Sequence, residues 1–215
     1  LAQALKEVGK RKICVITGAS SGLGLHAVTA LTSSYEGYYV IAAVRDTAKM
    51  DEAAAEMGID AKDYKAVKLE CASLASVRDF SKELKRLLRG RGLDRLVCNA
   101  AVYLPTDPKP RFTDEGYEMS FGVNHLSHFL LLQLLMPDLK KAKDARVCIV
   151  GSVAAPRQQA AALVGGASRP PRCGQVTGNK NTVAGSLVKP VADVGDLEGV
   201  KAGAGSVMVD GSRSF

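Results

Sequence analysis

A glycine-rich segment, residues 17–24 (Thr-Gly-Ala-Ser-Ser-Gly-Leu-Gly), directly follows the apolar run 13–16. A buried strand that leads through such glycines into a helix is the arrangement that holds the pyrophosphate of a dinucleotide. Gly18 permits the tight turn, Gly22 lets the backbone approach the phosphates, and Gly24 lets the helix pack close to the strand. The alternative is a tight turn that binds nothing. We predict a cofactor loop made of Gly18, Ser20, Ser21, Gly22, Leu23 and Gly24.

Arg45 follows the second apolar strand, about 20 residues beyond the glycine segment, where dinucleotide-binding folds recognise the adenosine ribose. A carboxylate there would bind the ribose 2′-hydroxyl of NAD and repel a 2′-phosphate, whereas a guanidinium offers several donors to that phosphate. The next carboxylate is Asp46. The simpler alternative is a solvated arginine at a strand end. We interpret the cofactor as NADP(H).

Three further polar positions lie where α/β proteins bind ligands or inside the longest helical pattern. Asn99-Ala100-Ala101 follows the fourth apolar strand and Ser152 follows the fifth, so both lie at carboxyl ends of predicted strands. Asn124 interrupts a helical pattern in which asparagine is mildly unfavourable unless it is used. A purely structural role is the alternative for each asparagine. His125 and His128 are interpreted as packing or surface residues.

The elements that must position these residues alternate between strands and helices. The predicted strands span residues 13–16, 38–44, 66–70, 93–98 and 146–150. The predicted helices span residues 23–32, 47–57 and 113–139, with another beginning after the N-cap Ser73. Continuously apolar strands that alternate with helices indicate an α/β protein with a doubly wound parallel sheet of the Rossmann type, covered on both faces and incomplete at the C-terminus.

Composition excludes several classes of protein. The chain has 215 residues, 47% of them hydrophobic, and a formal net charge of +7. Its basic residues are spread along the chain with no aromatic-interleaved motif, so we expect no nucleic acid partner. An anionic cofactor, an acidic pigment or an anionic membrane surface suits this charge better. The five cysteines lack metal-ligand spacing and fit buried positions in a reducing compartment, and no run is long enough to span a membrane.

These motifs resemble the short-chain dehydrogenase/reductase family, and within it the light-dependent protochlorophyllide oxidoreductases of plants, algae and cyanobacteria. The specific matches are residues 98–105, 124–129 and 177–185. The resemblance implies NADPH as cofactor, protochlorophyllide as the pigment substrate, and a plastid location with peripheral association at thylakoid membranes. By the same resemblance, Asn124 and Ser152 are catalytic residues, Asn99, Ala100 and Ala101 contact the cofactor, and Tyr103 and Thr177 contact the pigment.

The sequence departs from the family pattern in its second half. We predict an NADP-binding Rossmann-type domain over residues 1–152, an anomalous Ala/Gly/Pro/Arg-rich insertion over 153–176 and a poorly structured remnant of the substrate side over 177–215. The insertion is either a true loop or an unspliced in-frame intron that spans Val153 to Gln175. Its composition matches no part of the family, which favours the intron.

The family's Tyr-x-x-x-Lys pair has no counterpart in a helical pattern of this chain, since only Tyr64 and Lys68 have that spacing and they fall in an apparent strand. We therefore expect a light-driven reductase by family whose 215 residues do not turn over alone. The alternatives are another NADP-dependent short-chain carbonyl reductase, or a non-catalytic nucleotide-binding fragment that associates with other copies.

Overall fold

A computed structural model describes residues 8–103 and 110–151 of the chain. Five parallel strands form one sheet in the order β3-β2-β1-β4-β5. The strands are β1 (Ile13–Thr17), β2 (Tyr39–Val44), β3 (Tyr64–Lys68), β4 (Arg95–Cys98) and β5 (Arg146–Ile149). The helices are α1 (Gly22–Thr32), α2 (Thr47–Glu56), α3 (Leu74–Leu88), a short α4 (Met119–Phe121), a π-helical segment (Gly122–Leu126) and α5 (Ser127–Leu139). The predicted doubly wound parallel sheet is confirmed.

Strands β1 and β2 are buried along their whole length, which is why their sequences are continuously apolar. Alternate side chains of β1 and β2, such as Ile16 and Ala42, pack in one cluster with Val28 of α1 and Met50 of α2. On the opposite face, Ile13, Tyr39 and Ile41 lie against Leu84, Leu87 and Leu88 of α3. Helices on both faces therefore hold β1 rigidly, and β1 delivers the glycine segment.

Residues close to the two ends of helix α3 determine where it begins and ends. Its N-cap is Ser73, whose hydroxyl accepts from the backbone N–H of Ser76 at 3.5 Å, as the sequence predicted. The helix ends at Leu88 because Arg89 adopts a left-handed conformation (φ 48°) and Gly90 follows with φ 85°.

The predicted helix over residues 113–139 is wrong in its first six residues. Phe112 and Glu118 form an antiparallel bridge there, and Gly116 turns the chain with φ 82°. The helix begins only at Met119, where the Glu118 carboxylate accepts from the N–H of Phe121 at 2.8 Å. The turn forms in place of the predicted helix because Gly116 readily adopts a positive φ, and a residue with positive φ ends a helix.

Strand β5 also differs from expectation. The sequence predicted a sheet covered on both faces and a cysteine in this strand that behaves as a buried hydrophobe. All four residues of β5 are exposed, Cys148 and Ile149 among them. Within the described ranges β5 pairs only with β4, so it is an edge strand. The third strand is also shifted, because it runs over 64–68 rather than 66–70.

The chain divides into two compact units, Leu1–Ala101 with Val123–Val150, and Val102–Gly122 with Gly151–Phe215. The whole sheet belongs to the first unit. The predicted boundaries of the insertion (153–176) and the remnant (177–215) lie outside the described residues, so the predicted domain division stays a prediction. Among the described helices, none is long and apolar enough to cross a bilayer.

Candidate functional site

The candidate site lies at the carboxyl ends of β1 and β4, two neighbouring parallel strands. The chain leaves β1 toward β2 on one side and reaches β4 on the other, so the strand order reverses between them. In open α/β sheets this reversal opens a crevice at the carboxyl edge, which is where ligands bind. Thr17 ends β1 and Cys98 ends β4, so the two segments with predicted site residues emerge side by side.

Two of the glycines are required by close approach. Gly18 has φ 66°, and a Cβ at that position would lie 2.8 Å from Cα of Ala100. A Cβ on Gly24 would meet the carbonyl oxygen of Gly18 and lie 2.7 Å from Nδ2 of Asn99. Real Cβ atoms do not approach other atoms so closely, so the turn, the end of β4 and the first turn of α1 pack together only because both residues are glycine.

The N-terminus of α1 is open to a ligand. Gly22 has φ 53° and has open space where a side chain would be, so its backbone can be approached closely. Ser21 is the N-cap, but its hydroxyl makes no capping hydrogen bond. The first amides of a helix have no intrahelical acceptor and lie at the positive end of the helix dipole, which favours an anion. Ser21 and Leu23 are exposed and Ser20 is half-buried, so this segment borders solvent.

Thr17 is fully buried and joins the two strand ends. Its Oγ1 accepts from the backbone N–H of Asn99 at 2.8 Å and of Ala100 at 2.9 Å. The hydroxyl therefore fixes the course of the chain directly after β4.

The Asn99 side chain also connects the end of β4 to the glycine turn. Its Nδ2 donates to the carbonyl oxygens of Thr17, at 2.9 Å, and Gly18, at 3.2 Å. The amide thereby fixes the backbone of the glycine turn. Asn99 therefore has the structural role that the sequence left open as an alternative. Its contact with a cofactor stays a prediction.

His128 is a member of the site that sequence reasoning assigned only to packing or the surface. The imidazole is buried, with Nε2 2.9 Å from the Thr17 hydroxyl and Nδ1 3.2 Å from the backbone oxygen of Asn124. Burial lowers its pKa from the ordinary value of 6.5, partly offset by the hydrogen bond to Asn124, which raises the pKa. The neutral imidazole is therefore the form present near neutral pH.

Asn124 lies in the π-helical segment, half-buried. Such segments are rare and occur frequently at functional sites, because they displace side chains from the regular helical positions. Its backbone is tied through His128 to Thr17, so Asn124 belongs to the same connected group as the glycine turn.

Arg45 is exposed directly after β2, at the same carboxyl edge of the sheet. The carboxylate next to it is already engaged, because Asp46 is the N-cap of α2 and accepts from the N–H of Lys49 at 3.1 Å. A ligand at the end of β2 would thus meet a guanidinium rather than a free carboxylate. The geometry fits the chemistry of a phosphate on the ribose.

Two cysteines of this region, Cys71 and Cys98, are buried. Burial raises the pKa of the Cys98 thiol to about 12 and that of Cys71 to about 11. Thiols with such values stay protonated near neutral pH and are poor nucleophiles. The expectation that the cysteines of the strands are buried is confirmed for Cys98.

The remaining predicted site residues are exposed or lie outside the described residues. Ala101 and Tyr103 are exposed, and Tyr103 belongs to the second unit. Ser152 and Thr177 lie outside the described residues. Within residues 8–103 and 110–151, no group of His, Cys, Asp and Glu side chains could hold a metal ion. The sequence shows that His128 follows Asn124 by four residues, but this spacing does not indicate the contact of His128 with Thr17.

A family model described as short chain dehydrogenase matches residues 12–170. The chain belongs to the short-chain dehydrogenase family. This confirms the resemblance carried by the glycine segment and by Asn99-Ala100-Ala101. In this family the crevice between β1 and β4 is the expected place for a dinucleotide.

Curated relatives are similar over nearly the whole chain. Protochlorophyllide reductase from Chlamydomonas reinhardtii, named as chloroplastic, is 45% identical over 208 residues, which cover 95% of this chain and 46% of the relative. Protochlorophyllide reductase A from Oryza sativa subsp. japonica, also named as chloroplastic, is 44% identical and covers 98% of this chain and 49% of its own length. The chain spans about half the length of the curated relatives it matches.

Two solved structures share the fold. NADPH-bound carbonyl reductase from chicken fatty liver is 25% identical with a TM-score of 0.58, covering 69% of this chain and 62% of its own. The Pseudomonas aeruginosa RhlG/NADP complex is 29% identical with a TM-score of 0.55, covering 67% and 56%. Both of these proteins are described with a 2′-phosphorylated nucleotide.

Proposed function

We propose that this chain is the nucleotide-binding part of a light-driven, NADPH-dependent reductase that converts protochlorophyllide to chlorophyllide in chlorophyll biosynthesis. The observation that carries the proposal is the identity of 44–45% to enzymes named protochlorophyllide reductase over 94–98% of this chain. The carbonyl reductase from chicken fatty liver, which shares the fold, is less similar, at 25% identity.

The cofactor side of the site is assigned to residues at the carboxyl edge of the sheet. The open N-terminus of α1, with the close glycine turn beneath it, supports a pyrophosphate at residues 18–24. Arg45, with Asp46 withdrawn into a helix cap, supports a 2′-phosphate and therefore NADPH rather than NADH. Asn99, Ala100 and Ala101 are proposed to line the adenosine ribose, with Asn99 acting through the backbone of the turn that it holds.

We propose four residues for the substrate side of the site. When bound, NADPH supplies the hydride, and the pigment supplies the light absorption. Asn124, held in the π-helical segment, is proposed to hold a water molecule of the proton relay. By family resemblance, Ser152 is proposed to be a second catalytic residue, and Tyr103 and Thr177 are proposed to contact the pigment.

We further propose that these 215 residues bind NADPH without completing the reaction. A one-turn Tyr-x-x-x-Lys pair works because a helix brings both side chains to one face. Tyr64 and Lys68 lie in β3, where residues four apart are roughly 13 Å from each other. Burial and a 2.8 Å hydrogen bond to Asp51 raise the pKa of Tyr64 to about 12, opposite to what a proton donor requires.

We also propose a plastid location, peripheral membrane association and self-association. Their chloroplastic names support a plastid location. The net charge of +7 supports peripheral association with the anionic surface of thylakoid membranes. Within the described residues β5 pairs only with β4, and this supports self-association, because an unpaired strand edge is a template for another chain.

Nucleotide titration tests the cofactor assignment. The purified chain is titrated with NADPH and with NADH, each followed by nicotinamide fluorescence, and we expect NADPH to bind at least about tenfold more tightly. Equal affinities would contradict it. Pigment titration then separates the alternatives, since selective protochlorophyllide binding is expected here and not from a carbonyl reductase. Chlorophyllide formed after a flash by these 215 residues alone would contradict the absence of turnover.

A further inference from the structure

His128 is a buried polar side chain that the proposed chemistry does not use. It lies 111 residues from Thr17 in the chain, and the two side chains meet at 2.9 Å. Both are almost completely shielded from solvent, because Thr17 is 0% exposed and His128 is 7% exposed. A buried histidine that contacts the first residue of the glycine segment is in a position to control that segment.

The number of hydrogen bonds that the Thr17 hydroxyl can make determines which nitrogen of the His128 ring carries the proton. A hydroxyl accepts two hydrogen bonds and donates one. The N–H groups of Asn99 and Ala100 occupy both acceptor positions. The single proton of Thr17 then goes to Nε2 of His128 at 2.9 Å, in preference to the backbone oxygen of Val97 at 3.4 Å. Nε2 is therefore the unprotonated nitrogen.

The other ring nitrogen completes the connection. In a neutral imidazole the proton that Nε2 lacks is on Nδ1, which lies 3.2 Å from the backbone oxygen of Asn124 and donates to it. One hydrogen-bond chain thus runs from the amides after β4 through Thr17 and His128 to the π-helical segment. A charged imidazole would break it, because an Nε2–H would face a hydroxyl oxygen whose acceptor positions are filled.

We propose that His128 is a positioning residue of the nucleotide site: its neutral, Nδ1-protonated form fixes the Thr17 hydroxyl and, through it, the register between the glycine turn and the segment that carries Asn124. This inference rests on the proposed nucleotide binding. It adds that affinity for the nucleotide depends on a side chain of α5 that does not touch the nucleotide.

The tautomer is tested first, and without any nucleotide. The chain contains only three histidines, so ¹⁵N-labelled imidazoles are resolvable by NMR. We expect His128 to show a protonated Nδ1 and an unprotonated Nε2 at neutral pH. A protonated Nε2 would overturn the proposal. This measurement needs only the folded chain. It therefore separates a failure of the proposed hydrogen-bond chain through His128 from a failure of nucleotide binding, which the wild-type NADPH titration reports.

Two substitutions test the consequence. His128→Leu keeps the volume and removes both hydrogen bonds, so the dissociation constant for NADPH should rise about tenfold. His128→Gln can place an amide oxygen near the position of Nε2, so its affinity should stay within about threefold of wild type. Leu131→Ala, at a position 1% exposed on the same helix, is the control that lowers stability while leaving NADPH affinity unchanged.

The outcomes separate positioning from simple packing. Affinity lost in His128→Leu, restored in His128→Gln and retained in Leu131→Ala supports the proposal. Equal NADPH affinity in His128→Leu and wild type overturns it, and so does a glutamine variant as weak as the leucine variant. If His128→Leu does not fold, the wild-type tautomer and the glutamine variant decide.

Discussion

Gly24 and Asn99 lie in contact so close that a Cβ on residue 24 would stand 2.7 Å from the Asn99 amide nitrogen. The same amide donates to the carbonyls of Thr17 and Gly18. The first turn of α1, the glycine turn and the end of β4 therefore share one side chain. The absence of a side chain at residue 24 is what allows the helix N-terminus to lie over the crevice.

Gly24→Ala should disrupt this junction. The added methyl meets backbone and a hydrogen-bonded amide, neither of which can move freely, so the free energy of unfolding should fall by about 1–3 kcal/mol. Affinity for NADPH should fall as well, because α1 is displaced from the turn. Urea unfolding and nucleotide titration measure the two effects. His26→Ala, at an exposed position of α1, is the control. Unchanged stability in Gly24→Ala would contradict the close packing described here.

Arg45→Ala should change cofactor preference rather than stability. The side chain is exposed, so its loss should leave the fold intact. A charged hydrogen bond to phosphate contributes about 1.5–3 kcal/mol, so NADPH affinity should fall about 10- to 100-fold while NADH affinity stays the same. Lys49→Ala, also exposed, is the matched loss of one positive charge. If the two variants weaken NADPH binding equally, the effect is one of overall charge and the assignment of Arg45 fails.

The parts of the site that the sequence predicted are local in the chain. The glycine turn, the N-cap at Ser73 and the position of Arg45 each depend on a few neighbouring residues, whose turn and capping preferences are strong. A continuously apolar strand also predicts its own burial, as in β1 and β2. These features could be predicted because tertiary contacts reinforce the local preference.

The parts that were missed depend on contacts between distant residues. The contact of His128 with Thr17 joins positions 111 residues apart, and nothing near either residue indicates it. The exposure of Cys148 depends on the place of β5 at the sheet edge, which its apolar sequence does not reveal. The bridge between Phe112 and Glu118 replaced a helix because Gly116 turns the chain.

Among the cysteines that the structure describes, thiol labelling should distinguish exposed Cys148 from the three buried ones. Burial raises the pKa of Cys14 and of Cys98 to about 12 and that of Cys71 to about 11, so almost no thiolate is present at neutral pH. Cys148 is exposed on β5. Brief treatment of the native chain with iodoacetamide, followed by peptide mass spectrometry, should modify Cys148 and spare these three. Urea-unfolded protein, in which all should react, is the control. Rapid modification of native Cys98 would contradict the packing at the end of β4.

Acid should weaken the fold through His128. Burial depresses the pKa of this imidazole below 6.5, its ordinary value, so between the two values the unfolded chain binds more protons than the folded chain. The free energy of unfolding that His128 contributes is thus fully present above pH 6.5 and is lost as the pH falls below it. The charge on nearby His125 acts in the same direction, because it lowers the pKa of His128 further.

The difference between two proteins isolates this contribution. Urea unfolding of wild type and of His128→Leu is measured from pH 7.5 to about pH 5, where the other titrating groups are common to both and largely cancel. Wild type should lose more stability over this range than the leucine variant, because only wild type must keep a buried imidazole neutral. Parallel curves for the two proteins would show that His128 takes up its proton as readily in the folded chain as in the unfolded one, which a buried acceptor of the Thr17 hydroxyl cannot do.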